Sequence, residues 1–245
     1  MDDGLELTSQ AETHHFWFKG FRSFVAPVLA DVAGQRPGLR LIDCGCGTGH
    51  NLGLLTPHGS AVGFDLTYSG VARVKGGLPV AQSDITRIPF RSDTFDVATS
   101  FDVLQCVPDD VAAVREMTRI VKPGGVVLFT VAAFDALRGD HAIYWNEVRR
   151  YTPGRVKTLL SAAGLQAERV SFMFGSIFPM FAAARLLQRL TRPLRGGVQG
   201  DIDIRVPSAP VNSILTSIVQ AEARLAQTIP MPIGSSILVV ARKRG

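Results

Sequence analysis

The chain has 245 residues, of which 46% are hydrophobic and 19% charged, and its formal net charge is +5. This composition buries a sizeable core and excludes a disordered chain. The mild positive charge permits an acidic substrate, RNA or anionic lipid and requires none of them.

Residues 14–33, HHFWFKGFRSFVAPVLADVA, are spaced as one or two helices with an aromatic face. GQRPG (34–38) breaks the chain, and LRLID after it is a short buried strand. SAVGFD (60–65) is a second strand, TYSGVARVK a helix, LPVAQSD a third strand and DTFDVATSFD (93–102) holds a fourth. A helix over Asp110–Ile120, a tight KPGG turn and a fifth strand, VVLFTVA (126–132), follow. Strands alternating with helices predict an α/β fold with a parallel sheet covered on both faces. Beyond Ala132 the rhythm loosens. TPGRVKTLLSAAGL is a helix with Thr152 as N-cap, Pro153 first and Gly164 at its end. QAERVSFMFG is a sixth strand, and an apolar, arginine-edged helix starts near Phe178. GGVQGDIDIRVPSAP is looser, an amphipathic helix spans 211–227, and SSILVVAR (235–242) is the last strand. One domain thus carries an elaboration before its final strand.

Three cysteines are an odd number and too few for a disulfide framework. The start MDDGLELTSQ lacks the basic and apolar regions of a signal peptide. The longest uncharged apolar run, VSFMFGSIFPMFAAA, has 15 residues, against about 20 for a spanning helix. A cytoplasmic, reducing setting is expected.

The stretch LIDCGCGTGH (41–50) concentrates the chemistry. Cys44 and Cys46 are spaced C-x-C and lack the partners of a zinc or thioredoxin-like site, so no metal is expected. No lysine follows to make a Walker loop, and the third glycine comes one residue early for a dinucleotide fingerprint. Gly45, Gly47 and Gly49 follow an apolar strand, where glycine permits positive φ and close approach of a ligand. Asp65 ends the next strand, 20 residues after Gly45, placed to accept from ribose hydroxyls. Asp84 and Ile85 end the one after, where an acid can accept from an exocyclic amine and an apolar side chain can cover a purine. Each acid alone is equally a helix cap; together they outline an adenosine site.

The order LIDCGCGTG, VGFDL, SDITRIPF, FDVATSFDVLQCVPD and RIVKPGGVVLFTV resembles the class I S-adenosylmethionine-dependent methyltransferases, and more narrowly their UbiE-like, small-molecule branch. The resemblance implies a Rossmann-like, doubly wound sheet of seven strands, mostly parallel with an antiparallel last strand. It covers residues 38–132 tightly. It divides one methyltransferase domain (1–245) into an N-terminal helical lid (1–36), a cofactor-binding core (37–132), a substrate-side loop, helix and strand (133–170), an apolar and basic helical insertion (171–234) and the final strand (235–245). S-adenosyl-L-methionine is the implied cofactor. Gly45, Cys46, Gly47 and Gly49 would line its methionine and ribose side, and Asp43 would face the amino group. Asp65 would hold the ribose, Leu66 would lie against adenine, and Asp84 and Ile85 would take the adenine edge and face. Phe101, Asp102 and Val103 would flank the sulfonium. The family's common VLEHVPD reads VLQCVPD here, with Gln105 and Cys106 in place of the acid and the histidine.

Oxygen of a small or lipid-like molecule is the expected methyl acceptor. His141, in GDHAIYWNEVRRYTP, is the candidate general base, and His14, Tyr144, Trp145 and Arg149 are further acceptor-side candidates, although Arg149 can equally anchor the next helix. In HHFWFKGFR, Trp17 and Arg22 either reach the cofactor from a lid or pack on the sheet edge. The segment 172–195 sets Phe181, Leu186 and Leu190 against Arg185, Arg189 and Arg192, as core, pocket wall or peripheral membrane contact. A nucleic-acid acceptor is not expected, since neither a [DNS]-P-P-[YFW] motif follows the fourth strand nor an aromatic-studded basic stripe appears. The alternative is a non-methylating reaction on the same cofactor, a cyclisation or decarboxylation. Oligomeric state has no signature in the sequence.

Overall fold

The computed structural model of the chain describes residues 2–34, 36–191 and 206–245. Arg192, Arg195 and most of the looser stretch GGVQGDIDIRVPSAP lie outside the described residues. Seven strands form one sheet: β1 (Leu39–Cys44), β2 (Gly59–Asp65), β3 (Val80–Gln82), β4 (Phe95–Phe101), β5 (Val121–Ala132), β6 (Leu165–Met173) and β7 (Ser236–Lys243). Their order is β3-β2-β1-β4-β5-β7-β6. The first five pair in parallel, and β7 runs antiparallel between β5 and β6. This is the Rossmann-like arrangement expected, with the antiparallel strand in place.

Alternation along the strands sends neighbouring residues to opposite cores. Ile42, Ala98, Val127 and Phe129 pack under α5 (Asp110–Ile120) and α7 (Pro153–Ala162), with Met117, Leu159 and Tyr151. Leu41, Val97 and Leu128 pack under α2 (Phe16–Ala33) and α9 (Ala209–Leu225), with Phe24, Leu29 and Val219. Strands buried on both faces favour apolar runs, which β5 supplies in VVLF, while β4 buries Thr99 and Ser100 by bonding their hydroxyls to Asp43 Oδ1 and the Cys44 carbonyl. Strand order reverses between β1 and β4, and ligands of open α/β sheets bind beyond the carboxyl ends at such a switch point.

Local chemistry sets the helix ends. Thr152 Oγ1 accepts from Arg155 N–H at 3.3 Å, Pro153 opens α7, and Gly164 follows it at φ +74°. Asp109 Oδ1 caps α5 through Ala112 N–H at 2.9 Å.

Four elements differ from the sequence reading. The acidic N-terminus forms a helix, α1 (Asp2–Ala11), which packs on α4 (Tyr68–Val71). The helix expected over TYSGVARVK is the single turn α4, because Gly76 and Gly77 take positive φ soon after it. KPGG is a bulge inside β5 rather than a turn before it: pairing with β4 runs Phe95↔Val121, then jumps to Val97↔Val126. Helix α8 (Phe178–Thr191) starts where expected but is turned about its axis. Arg185 is buried at 7% exposure with its guanidinium 4.7 Å from the Phe181 ring, whereas Leu186, Leu187 and Leu190 are exposed. Among the described residues no helix is long and apolar enough to cross a membrane.

Candidate functional site

The loop after β1 turns sharply because Gly45, Gly47 and Gly49 hold φ of +88°, +52° and +77°. A Cβ on Gly45 would lie 2.5 Å from Val103, and one on Gly49 would lie 2.8 Å from Val74. A Cβ on Gly47 would meet nothing within 4 Å. Two glycines therefore serve packing, and the middle one faces open space. The loop hangs on β2: Gly45 and Cys46 N–H both donate to the Phe64 carbonyl at 2.8 Å.

Asp65 grips the same loop. Its Oδ2 accepts from Gly47 N–H at 2.9 Å, and its Oδ1 accepts from the Thr67 N–H and hydroxyl at 2.8 and 2.7 Å. Those bonds leave acceptor capacity on Oδ2, on the side where Leu66 stands 66% exposed. Asp84 is exposed and is the cap of its own turn, accepting twice from Thr86 at 2.8 Å through Oδ1. Ile85 departs from expectation: it is drawn into the core with Ile88, leaving little surface for a purine face.

Asp43 is buried on β1, and its Oδ1 accepts from the Thr99 hydroxyl at 2.8 Å. Burial pushes its carboxyl up to about 6; the Thr99 bond opposes this and the charge of Asp65 adds to it. The Cys44 thiol is fully buried, and burial pushes the Cys44 and Cys46 thiols far above their ordinary range, so both are space-filling here. Among the described residues no three His, Cys, Asp or Glu side chains group as metal ligands.

At the end of β4, Phe101 packs edge-on against Phe21 in the core, and Val103 packs against Gly45. Asp102 is left at φ +54°, an uncommon conformation for a residue with a side chain. Its N–H and carboxylate both engage Thr130 of β5, with Thr130 Oγ1 accepting at 3.1 Å and donating at 3.2 Å. Burial raises the Asp102 carboxyl to about 6, against the pull of Thr130.

The N-terminal segment reaches the glycine loop through residues the sequence did not single out. Glu12, just after α1, receives the Thr48 hydroxyl of the glycine loop at 2.8 and 3.1 Å and lies 3.9 Å from His50 Nδ1. Burial raises the Glu12 carboxyl, and the same burial lowers the His50 imidazole. Arg22 joins this latch, its Nη2 donating to the Glu12 carbonyl at 2.8 Å. Trp17 does not: it stacks on Phe174 at 3.9 Å and faces Phe181, on the side of α8. His14 is exposed, and its carbonyl accepts from Asn212 of α9. Both leave the site because α2 is tied to α9 rather than swung over the loop.

His141 and Tyr144 lie on the short helix α6 (Asp140–Tyr144), and Trp145 ends it. Tyr144 presses on Gly4 of α1, where a Cβ would be 2.6 Å away, so lid and substrate-side loop touch. Burial and the nearby Arg185 and Arg150 lower the His141 imidazole to about 4. Arg149 is an anchor rather than an anion clamp: it donates to the carbonyls of Val107 and Pro108 and lies 3.5 Å from Asp110. Next to it, Arg150 and Glu147 form a buried two-pronged ion pair with bonds of 2.8 and 3.2 Å. The wall beyond is aromatic, with Phe134 stacked on Phe172 at 5.4 Å and against Phe178.

The family profile described as "Methyltransferase domain" matches residues 42–129. A demethylmenaquinone methyltransferase of Roseiflexus sp. is 32% identical over 157 residues, covering 57% of this chain and 61% of that protein. The chain spans 36–61% of the length of curated relatives such as these. The structure of Haemonchus contortus phosphoethanolamine N-methyltransferase 2 in complex with S-adenosyl-L-methionine aligns with a TM-score of 0.64 at 18% identity, covering 100% of this chain and 58% of that one. The [4+2]-cyclase SpnF aligns with a TM-score of 0.58 at 21% identity, covering 91% and 80%. At such identities the two structures speak for the fold alone.

Proposed function

The chain carries a class I S-adenosylmethionine-dependent methyltransferase domain of the UbiE-like type, and we propose that it moves a methyl group from S-adenosyl-L-methionine to oxygen of a small or lipid-like molecule. One observation carries this reading most. The glycine loop, bent by three positive-φ glycines, is tied to Asp65 and presents its middle glycine, Gly47, to open space beside exposed Leu66. That cradle fits a nucleoside. Asp65 keeps acceptor capacity for a ribose hydroxyl, Leu66 offers an apolar surface for adenine, and the exposed Asp84 can accept from its amine. Asp43 supplies a buried carboxylate for the ammonium end, and a cation beside it would hold it ionised.

The cofactor, when bound, supplies an electrophilic methyl on a sulfonium. The chain's part is position: alignment of reacting groups is worth roughly 7–11 kcal/mol, against ~10²–10⁴ in rate for a general base. Tyr144 of the substrate-side segment packs on Gly4 of α1, which brings the N-terminal helix against that segment. The aromatic wall of Phe134, Phe172 and Phe178 suits an apolar acceptor.

Calorimetric titration with S-adenosylmethionine and S-adenosylhomocysteine tests the reading. Micromolar binding that is lost in Asp65→Ala supports it, and absence of binding by the intact protein sinks it. The runner-up, a cofactor-dependent reaction without transfer, is kept because a cyclase shares the fold. Release of S-adenosylhomocysteine during turnover separates the two.

A further inference from the structure

A polar cluster lies beyond the carboxyl end of β4, on the acceptor side, and the positional roles drawn so far leave it without a use. Asp102 is pinned there in a left-handed conformation by two hydrogen bonds to Thr130. The Gln105 side chain lies near enough to Asp102 to pull its carboxyl down. Gln105 is itself only 4% exposed, and its Oε1 has no hydrogen-bond partner among the described residues. A buried amide oxygen without a donor costs about 1–3 kcal/mol, and native proteins keep few of them. The carbonyl of Gln105 is committed, accepting from the N–H groups of Val148 and Arg149. The side chain is therefore held in place by its surroundings, with one acceptor site left over.

We propose that Asp102 and Gln105 form the proton-receiving corner of the acceptor site, where Asp102 takes the proton of the acceptor's hydroxyl and Gln105 Oε1 accepts a hydrogen bond from that molecule. This rests on the methyl-transfer reading. As a lone pair of the acceptor oxygen forms the new O–CH3 bond, the S–CH3 bond breaks and its electron pair stays on sulfur. The hydroxyl proton passes to the Asp102 carboxylate and from there to solvent. Charge cancels across the step: a sulfonium becomes a thioether, and a carboxylate becomes a carboxylic acid.

The surroundings suit the task. Glu147 and Arg150, from the segment after α6, face Asp102, as does Cys106 from the turn after β4. Burial, and then the Glu147 charge, raise the Asp102 carboxyl to about 6, near the pH at which a base works best. Burial, and then the cations Arg185 and Arg150, lower the His141 imidazole to about 4, which makes it the weaker base of the two. Gln105 stands where relatives in the resembling family carry an acid. A second carboxylate so close would raise Asp102 further and leave it protonated at neutral pH.

The test uses the full-length protein, S-adenosylmethionine and 4-methylphenol, whose hydroxyl titrates at about 10 as tyrosine's does and so keeps its proton across the pH range, with release of S-adenosylhomocysteine as the readout. Asp102→Asn keeps the Thr130 bonds, and asparagine tolerates the left-handed backbone, so the variant folds. Its kcat falls by about 10²–10⁴, and the wild-type rise of kcat with pH near Asp102's titration disappears. Gln105→Leu raises KM by about 2–10-fold, the loss of one hydrogen bond, with a smaller change in kcat. Gln105→Leu binds S-adenosylhomocysteine as the wild type does. Wild-type protein that binds S-adenosylhomocysteine yet leaves 4-methylphenol unmethylated overturns the proposal. So does Asp102→Asn with an unchanged kcat and pH profile. Failure of the wild type to bind S-adenosylhomocysteine strikes the methyl-transfer reading instead, which calorimetry shows separately.

Discussion

Replacing Asp43 by asparagine should stabilise the protein while impairing its cofactor site. Asp43 is 1% exposed, and its one side-chain bond, from the Thr99 hydroxyl, goes to an oxygen that asparagine retains. In the native state its carboxyl titrates at about 6 instead of 3.8 because burial penalises the charge. Below 3.8 both native and unfolded chains are protonated, and the group has no effect. Between 3.8 and 6 the native state holds the extra proton, so stability from this group falls as pH rises, and above 6 the penalty is complete. Two pH units at 1.36 kcal/mol each correspond to about 3 kcal/mol. Burying the new amide N–H groups takes back part of it, leaving about 1–2 kcal/mol. At about 2–4 °C per kcal/mol for a chain of this size, Asp43→Asn should melt ~2–8 °C above wild type at pH 8. By pH 4 only about 0.5 kcal/mol of the charge penalty is left while the amide cost persists, so the order should reverse and the variant should melt ~1–6 °C below wild type. Other carboxylates respond in both directions, Asp102 and Glu12 raised and Asp96 and Glu116 lowered, but they cancel in the difference between two proteins that differ at one site. Calorimetric melts of both proteins from pH 4 to 8, with S-adenosylhomocysteine titrations beside them, make the comparison. A variant that melts below wild type at pH 8, or a gap independent of pH, would refute the argument that charge burial dominates at this position.

Alanine at Gly45 must push Val103 from 2.5 Å and adopt φ +88°, whereas alanine at Gly47 has open space and φ +52°. Thermal melts should show Gly45→Ala losing about 2–4 kcal/mol and Gly47→Ala about 1, with Gly47→Ala still losing at least about tenfold in S-adenosylhomocysteine affinity because its methyl enters the cradle. Arg150→Met strands the buried Glu147 charge and should lower stability by about 3–5 kcal/mol in urea titrations. Adding Glu147→Leu to it should restore most of that loss. Glu12→Ala removes the two bonds to Thr48 that hold α1 to the glycine loop. Limited proteolysis between α1 and α2 should quicken by about tenfold, the worth of one to two charged hydrogen bonds, and S-adenosylhomocysteine should leave faster in stopped flow.

Much of the cofactor half was legible because its signals are local. A glycine that needs positive φ, an acid that ends a strand, a proline that opens α7 and the apolar run of β5 each act within a few residues of themselves. Gly45, Asp65, Asp43 and Thr152 accordingly stand where the sequence put them. Asp84 did too, while Ile85, an apolar residue with two directions open to it, went to the core. The acceptor half was read less well. Trp17 could read as lid or as packing, and its stacking on Phe174 settles it as packing, while the tie of the His14 carbonyl to Asn212 holds that acceptor-side candidate toward α9. Arg149 could clamp an anion or anchor the next helix, and it is spent on backbone carbonyls. Arg185 looked like the charged edge of an amphipathic helix and is buried over Phe181. Helical spacing shows which residues share a face; it is silent on which face turns inward when both carry apolar groups, as on α8.

The sequence by itself determined the sheet's alternating plan, the loop that bends after β1 and the acids at the ends of β1, β2 and β3, because backbone sterics and strand periodicity are properties of short segments. Tertiary structure alone decided the latch of Glu12 on Thr48, the pairing of Arg150 with Glu147 and the meeting of Asp102, Thr130 and Gln105. Thr130 is 28 residues from Asp102 and Thr48 is 36 from Glu12. Such partners are chosen by which strands lie side by side and by how deeply each carboxylate is cut off from water, and neither is written in any one stretch of the chain.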